Sequence, residues 1–130
     1  MTHVDNILLR TPNVLLVRAA AVCAAVVIAF ASLSAQGPAI QSGLSDKVDH
    51  LAAYAVLMLL MALGWSHRIG LGILLGAAVG FGGLLELLQA FSPGRQPDWA
   101  DFAVNSCGAL IGLAFAFLVF RQRRHGMRAG

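Results

Sequence analysis

The sequence predicts an all-α, polytopic membrane protein: a bundle of four transmembrane helices joined by short loops, with both termini cytoplasmic. Three observations carry this. Of the 130 residues, 58% are hydrophobic and 12% charged, whereas about a quarter of the residues of a soluble domain are charged. The mean hydropathy of +0.78 also excludes a disordered chain, which needs low hydrophobicity and high net charge. The apolar residues fall into four runs, at 19–35, 51–65, 69–91 and 102–120, close to the roughly 20 residues that cross a bilayer as a helix. The connections between them are too short to fold separately, so residues 1–130 read as one domain.

The first span follows Arg18 and ends near the polar run Ser34 to Gln41, which holds Gly37 and Pro38. A charged start and an apolar middle also describe a signal peptide. Against cleavage, Leu33 stands where an Ala-x-Ala site ending at Ala35 would need a small residue. The second span, Leu51 to Trp65, is short, about 22 Å at 1.5 Å per residue, and Lys47 and His67 or Arg68 are placed to snorkel at its ends. Trp65 suits the interfacial belt. The third span follows the turn Ser66-His67-Arg68 and stops at Ser92-Pro93-Gly94, because proline cannot continue a helix; spans two and three therefore form an antiparallel hairpin. The fourth runs from Phe102 to Phe120 and is followed by Arg-Gln-Arg-Arg-His.

With four spans, both tails and the middle turn share a side. That side carries Arg10, Arg18, Arg68, Arg121, Arg123, Arg124 and Arg128, and the other only Lys47 and Arg95. Cytoplasmic loops carry the excess of Lys and Arg, so both termini are expected in the cytoplasm and the chain in the cell (inner) membrane. The net charge of +3 is then an anchor to anionic membrane lipids, and no nucleic-acid partner is implied. Cys23 and Cys107 differ in expected depth by about 15 Å at 1.5 Å per residue, too far for a disulfide, and read as small packing residues. No CxxC or Cys/His spacing suggests a metal; His50 with the outer aspartates is conceivable as a site for a hard ion, but only one histidine lies on that side, and Gly70-Leu71-Gly72 lies inside an apolar run, so no metal or cofactor is expected.

The remaining charge gathers at the outer ends of spans two to four. Ser45 can cap span two, and Asp46 and Asp49 suit the positive end of its dipole. Lys47, His50 and Tyr54 follow at i, i+3 and i+7 on one face. Glu86 and Gln89 share a face near the end of span three, and an ionisable residue inside a span is a functional candidate by default. Gly72, Gly76 and Gly80 form a small-xxx-small series, and Gly72, Gly76 and Gly83 lie within about 80° of Glu86 on the helical wheel, so Glu86 is expected to border a packing face. Asp98, Asp101 and Asn105 form a stripe that continues as Gly108, Gly112 and Ala116; Asp98 can also cap the helix after Pro97. Together Lys47, His50, Tyr54, Glu86, Gln89, Arg95, Asp98, Asp101 and Asn105 outline a ligand-binding polar cup that faces outward.

The runs Ser-Asp-Lys-Val-Asp-His-Leu-Ala-Ala-Tyr, Leu-Leu-Glu-Leu-Leu-Gln-Ala-Phe-Ser-Pro-Gly-Arg-Gln-Pro-Asp-Trp-Ala-Asp and Asn-Ser-Cys-Gly-Ala-Leu-Ile-Gly resemble the VanZ-like family of small membrane proteins. The resemblance covers about Asp46 to Gly112. It implies a multi-helix membrane protein of the cell envelope, and a namesake associated with resistance to the glycopeptide teicoplanin. It carries over Asp46 and Gly108 besides the cup residues. Three functions follow as expectations. One is a protein that alters the handling of lipid-linked cell-wall or surface-glycan intermediates, with Lys47 and Arg95 facing anionic head groups. Another is a membrane-embedded enzyme acting on a polyprenyl phosphate, with Glu86, His50 or Asp101 as catalytic candidates. The last is a structural bundle whose polar residues form an interhelical network.

Overall fold

A computed structural model describes residues 11–34, 46–93 and 96–126. They form four helices: α1 (Thr11–Leu33), α2 (Asp46–Trp65), α3 (Leu71–Gln89) and α4 (Trp99–Gly126). Each contains a stretch long and apolar enough to cross a membrane, at Val14–Leu33, Asp46–Trp65, Leu71–Gln89 and Trp99–Gln122. The burial pattern agrees with an apolar solvent. Leu15, Phe30, Ile73 and Phe91 are 70% or more exposed, while Glu86, Gln89 and Asn105 are each 2% exposed. An apolar exterior around polar interior groups would be unstable in water and is natural in lipid. The chain is a multi-pass membrane protein.

The expected helix order holds, with shifted ends. α2 begins at Asp46, five residues before the apolar run, because Asp46 and Asp49 occupy its first turn and offset the exposed amides there. Its 20 residues span about 30 Å, so it needs no snorkelling to reach across. The α2–α3 turn is closed by the amides of Arg68 and Ile69, which donate to the Trp65 carbonyl at 2.8 and 2.9 Å. Gly70, in an extended conformation, accepts from Ile73 and Leu74 at 3.0 and 3.1 Å to start α3. Before Pro93, α3 tightens: Phe91 and Ser92 donate to Leu88 and Gln89 at 3.0 Å, bonds of i to i+3 spacing that satisfy carbonyls at the helix end. Ser45, the expected cap of α2, and the orientation markers Arg10 and Arg128 lie outside the described residues.

Helices α2 and α4 both run away from one end of the bundle and are parallel; α1 and α3 run back. Although α2 and α3 are joined by the short turn, the closest neighbour of α2 is α4. Glycine explains the approach. A Cβ at Gly108 would collide with the Leu51 carbonyl oxygen, and one at Gly112 with that of Ala55. Small residues one turn apart on α4 thus let two backbones touch, the arrangement by which helices associate where lipid offers no hydrophobic drive. Met58, Ala62, Leu74, Ala78, Ala109 and Ala116 form the core below.

Two expectations are corrected. Gly72, Gly76 and Gly80 are exposed and a Cβ there would meet nothing within 4 Å. The buried stripe of α3 is instead Leu74, Ala78, Gly82, Leu85, Glu86 and Gln89. Glu86 does face the packed side, but Gly82 and Gly83, against Tyr54 and Phe102, are the glycines that bring it there. Cys23 and Cys107 are free and exposed, on the outer surface rather than packed.

α1 is held at both ends. Arg18 donates from Nε to the Gly64 carbonyl at 2.9 Å, lies 5.3 Å from the Trp65 ring centroid and reaches His67 Nε2 at 3.2 Å. At the other end Ser92 Oγ donates to the Leu33 carbonyl at 3.1 Å. Trp65, read from sequence as a belt residue, is therefore also the platform on which α1 rests.

Candidate functional site

The starts of α2 and α4 and the end of α3 meet at the end of the bundle where α2 and α4 begin. The parallel α2–α4 pair sets the first layer. With the glycine contacts fixing the register, Lys47 falls opposite Asp101 and His50 opposite Asn105. Lys47 Nζ donates to Asp101 Oδ1 at 3.0 Å and lies 3.6 Å from Asp98 Oδ2. The Asp101 side chain is 14% exposed, against 52% for Lys47. An ion pair that wet is screened by solvent and contributes little to stability; its larger effect is to fix where the ammonium points.

His50 Nδ1 and Asn105 Oδ1 are 2.9 Å apart. The amide oxygen can only accept, so the ring donates from Nδ1, and in the neutral ring Nε2 keeps its lone pair. Nε2 is 3.9 Å from Asp46 Oδ2. Asp46, His50 and Asp101 each place one ligand atom within 4.8 Å of the others. Such an O,N,O set suits a hard divalent cation, but Lys47 already neutralises Asp101.

α3 supplies the second layer. Glu86 is buried and its Oε2 accepts the Asp98 N–H at 3.1 Å. Asp98 in turn accepts the Ala100 N–H at 2.8 Å through Oδ1, the N-cap geometry expected from sequence. One carboxylate thus holds the backbone at which α4 starts, and the next caps the helix. Asp98 lies just outside the span, and its carboxyl is held below the usual range, first by the Ala100 amide and then by the Lys47 charge. Asp49, on the opening turn of α2, is half-buried.

Beneath, Tyr54 is buried one turn below His50, with its ring against Gly82. A Cβ at Gly82 would stand 3.1 to 3.3 Å from the ring and hydroxyl, so glycine makes room for the only tyrosine in the chain. Tyr54 Oη and Gln89 Nε2 are buried with no hydrogen-bond partner among the described residues. An unpaired buried polar atom costs about 1–3 kcal/mol, and two of them at one end mark it as more than a packed core.

Eight of the nine residues expected in the cup therefore come together: Lys47, His50, Tyr54, Glu86, Gln89, Asp98, Asp101 and Asn105. Arg95 lies outside the described residues. Sequence reasoning missed Gly82 as the seat of Tyr54; the Gly-Gly doublet one turn before Glu86 was the available signal. Chemically, the site offers a held ammonium, a histidine set between Asn105 and Asp46, a buried carboxylate and two unused polar atoms. Residues 20–121 of the chain match the family described as VanZ/LLP1. No curated protein and no solved structure matches it significantly.

Proposed function

The chain belongs to the VanZ/LLP1 family, and from that premise we propose that its polar cup recognises the head group of a lipid-linked cell-wall or surface-glycan intermediate in the cell membrane. Altered tolerance of teicoplanin-type glycopeptides is the cellular consequence of this reading. The observation that carries it is Glu86, 2% exposed inside α3 and bonded to the Asp98 amide. A carboxylate inside a span is costly and marks function more often than packing. In this reading Lys47, steadied by Asp98 and Asp101, presents its ammonium to an anionic head group. Gln89 Nε2 and Tyr54 Oη, unpaired among the described residues, are the polar atoms left for the head group, and Asn105 orients His50. The gathering of Arg18, Arg68, Arg121 and Arg124 at the end opposite the cup supports, under the positive-inside rule, a reading in which both termini are cytoplasmic and the cup faces outward.

The test compares lipid-linked precursors and teicoplanin tolerance in cells with wild-type protein, with Glu86→Gln and with none. Gln keeps an acceptor for the Asp98 amide, so the protein should persist in the membrane while precursor levels and tolerance revert to those of the empty strain. A wild-type profile from Glu86→Gln would sink the reading in favour of a structural network. One observation favours a second reading, an enzyme using His50 with Glu86 and Asp101: the His50 ring is held at Nδ1 by Asn105 and turns Nε2 toward the Asp46 carboxylate. It requires precursors of changed mass, where the binding reading requires changed amounts only.

A further inference from the structure

At the end of the bundle opposite the cup, the start of α3 and the last turns of α4 enclose an open cleft of about 390 Å³ lined by Leu71, Phe117, Phe120, Arg121, Arg124 and His125. Nothing in the proposed function uses it. On α4 the lining residues recur at i, i+3, i+4, i+7 and i+8, so they form one stripe. The stripe is graded: two phenylalanines lie toward the middle of the span, and two guanidiniums and an imidazole toward its end. Such an order matches an amphiphile with an apolar chain and an anionic head.

Charge points the same way. The described carboxylates, Asp46, Asp49, Glu86, Asp98 and Asp101, all lie toward the cup, so no described acid is near enough to neutralise Arg121 or Arg124. Guanidinium forks bind phosphate oxygens bidentately, and basic pockets between transmembrane helices are where anionic lipid heads are held. The volume is within the range of sites that enclose a small ligand.

We propose that this cleft binds one anionic phospholipid, its phosphate against Arg121 and Arg124 and its chains along Phe117 and Leu71. It differs from diffuse attraction to a charged leaflet, in which every cation at this end would count alike. Arg68, exposed at the same end but outside the cleft lining, separates the two.

The test uses the purified full chain in detergent and native mass spectrometry with three probes: dioleoylphosphatidylglycerol, dioleoylphosphatidylcholine and inorganic phosphate. One phosphatidylglycerol should be retained about thirtyfold more tightly than phosphatidylcholine, the preference expected of two basic side chains near a head group. Arg121→Gln/Arg124→Gln should lower that preference below about twofold, while Arg68→Gln leaves it unchanged. Phe117→Gln should weaken the lipid and leave phosphate binding as it was. Equal retention of the two lipids would overturn the proposal, as would an equal loss in Arg68→Gln and the double variant. Inorganic phosphate binding as tightly as the lipid would overturn it in favour of a soluble anion. Should the double variant fail to insert, the wild-type comparison of the three probes decides alone.

Discussion

Replacing Gly108 by alanine tests the contact on which the whole site depends. The added Cβ would fall 3.1 Å from the Leu51 carbonyl carbon and 3.2 Å from its Cα, with the carbonyl oxygen nearer still. These are backbone atoms of a helix, so no rotamer change relieves the clash and α2 and α4 must separate by about 1 Å to reach ordinary contact. Overpacking of this kind costs about 1–3 kcal/mol. The same separation stretches the His50–Asn105 contact, now 2.9 Å, beyond hydrogen-bond range, which adds about 1 kcal/mol. Against this, alanine is the better helix former by about 1 kcal/mol, leaving a net loss of about 1–3 kcal/mol. Gly76→Ala is the control: a Cβ there meets nothing within 4 Å, so only the propensity gain remains, about 1 kcal/mol at most. Reversible unfolding of both variants in mixed micelles measures the difference. If Gly108→Ala proved as stable as Gly76→Ala, the α2–α4 backbone contact could not be what sets the register of the site.

Glu86→Ala should cost about 1–3 kcal/mol in the same assay, because the Asp98 amide loses its acceptor, whereas Glu86→Gln should stay within about 1 kcal/mol of wild type; equal losses would show that the bond to Asp98 is not what matters. Asp98 has its acidity raised by the Ala100 amide and by Lys47, so its share of stability is complete above the ordinary carboxyl pKa and is lost as the pH falls through its own lowered one. Carbon-13 titration of the Asp98 carboxyl should show this midpoint below that of a model aspartate, and Lys47→Met should move it upward. Arg18→Ala should loosen α1 by about 1–2 kcal/mol, from a lost hydrogen bond and a lost cation–π contact, read as faster proteolysis of α1 with α2 to α4 unchanged.

The stripes on α2 and α4 were legible because polar and small residues recur there at helical spacing with no competing pattern. Lys47 and His50 face Asp101 and Asn105 as the wheel requires, while Tyr54 turns to Gly82 of α3. The glycines of α3 were not, and the reason is general. Gly72, Gly76 and Gly80 have the same spacing as Gly108 and Gly112, but a small stripe packs only if another helix lies opposite, and spacing carries no information on that. The same gap hid the α2–α4 pairing, since a short turn fixes which helices are connected and not which touch most. Helix ends were displaced for a different cause: Asp46 and Lys47 are polar, so an apolar-run criterion stopped at Leu51, although dipole and ion-pair terms carry the helix outward.

The parallel pairing of α2 with α4 also constrains the order in which the protein can be built. Synthesis proceeds from the N-terminus, so Lys47, His50 and Glu86 leave the ribosome before residues 98 to 105, which supply their partners. During that interval a carboxylate in the third helix has no amide to bind, a cost of several kcal/mol in lipid. The third helix thus depends on the fourth: only when the start of α4 packs beside it does the buried carboxylate gain its amide.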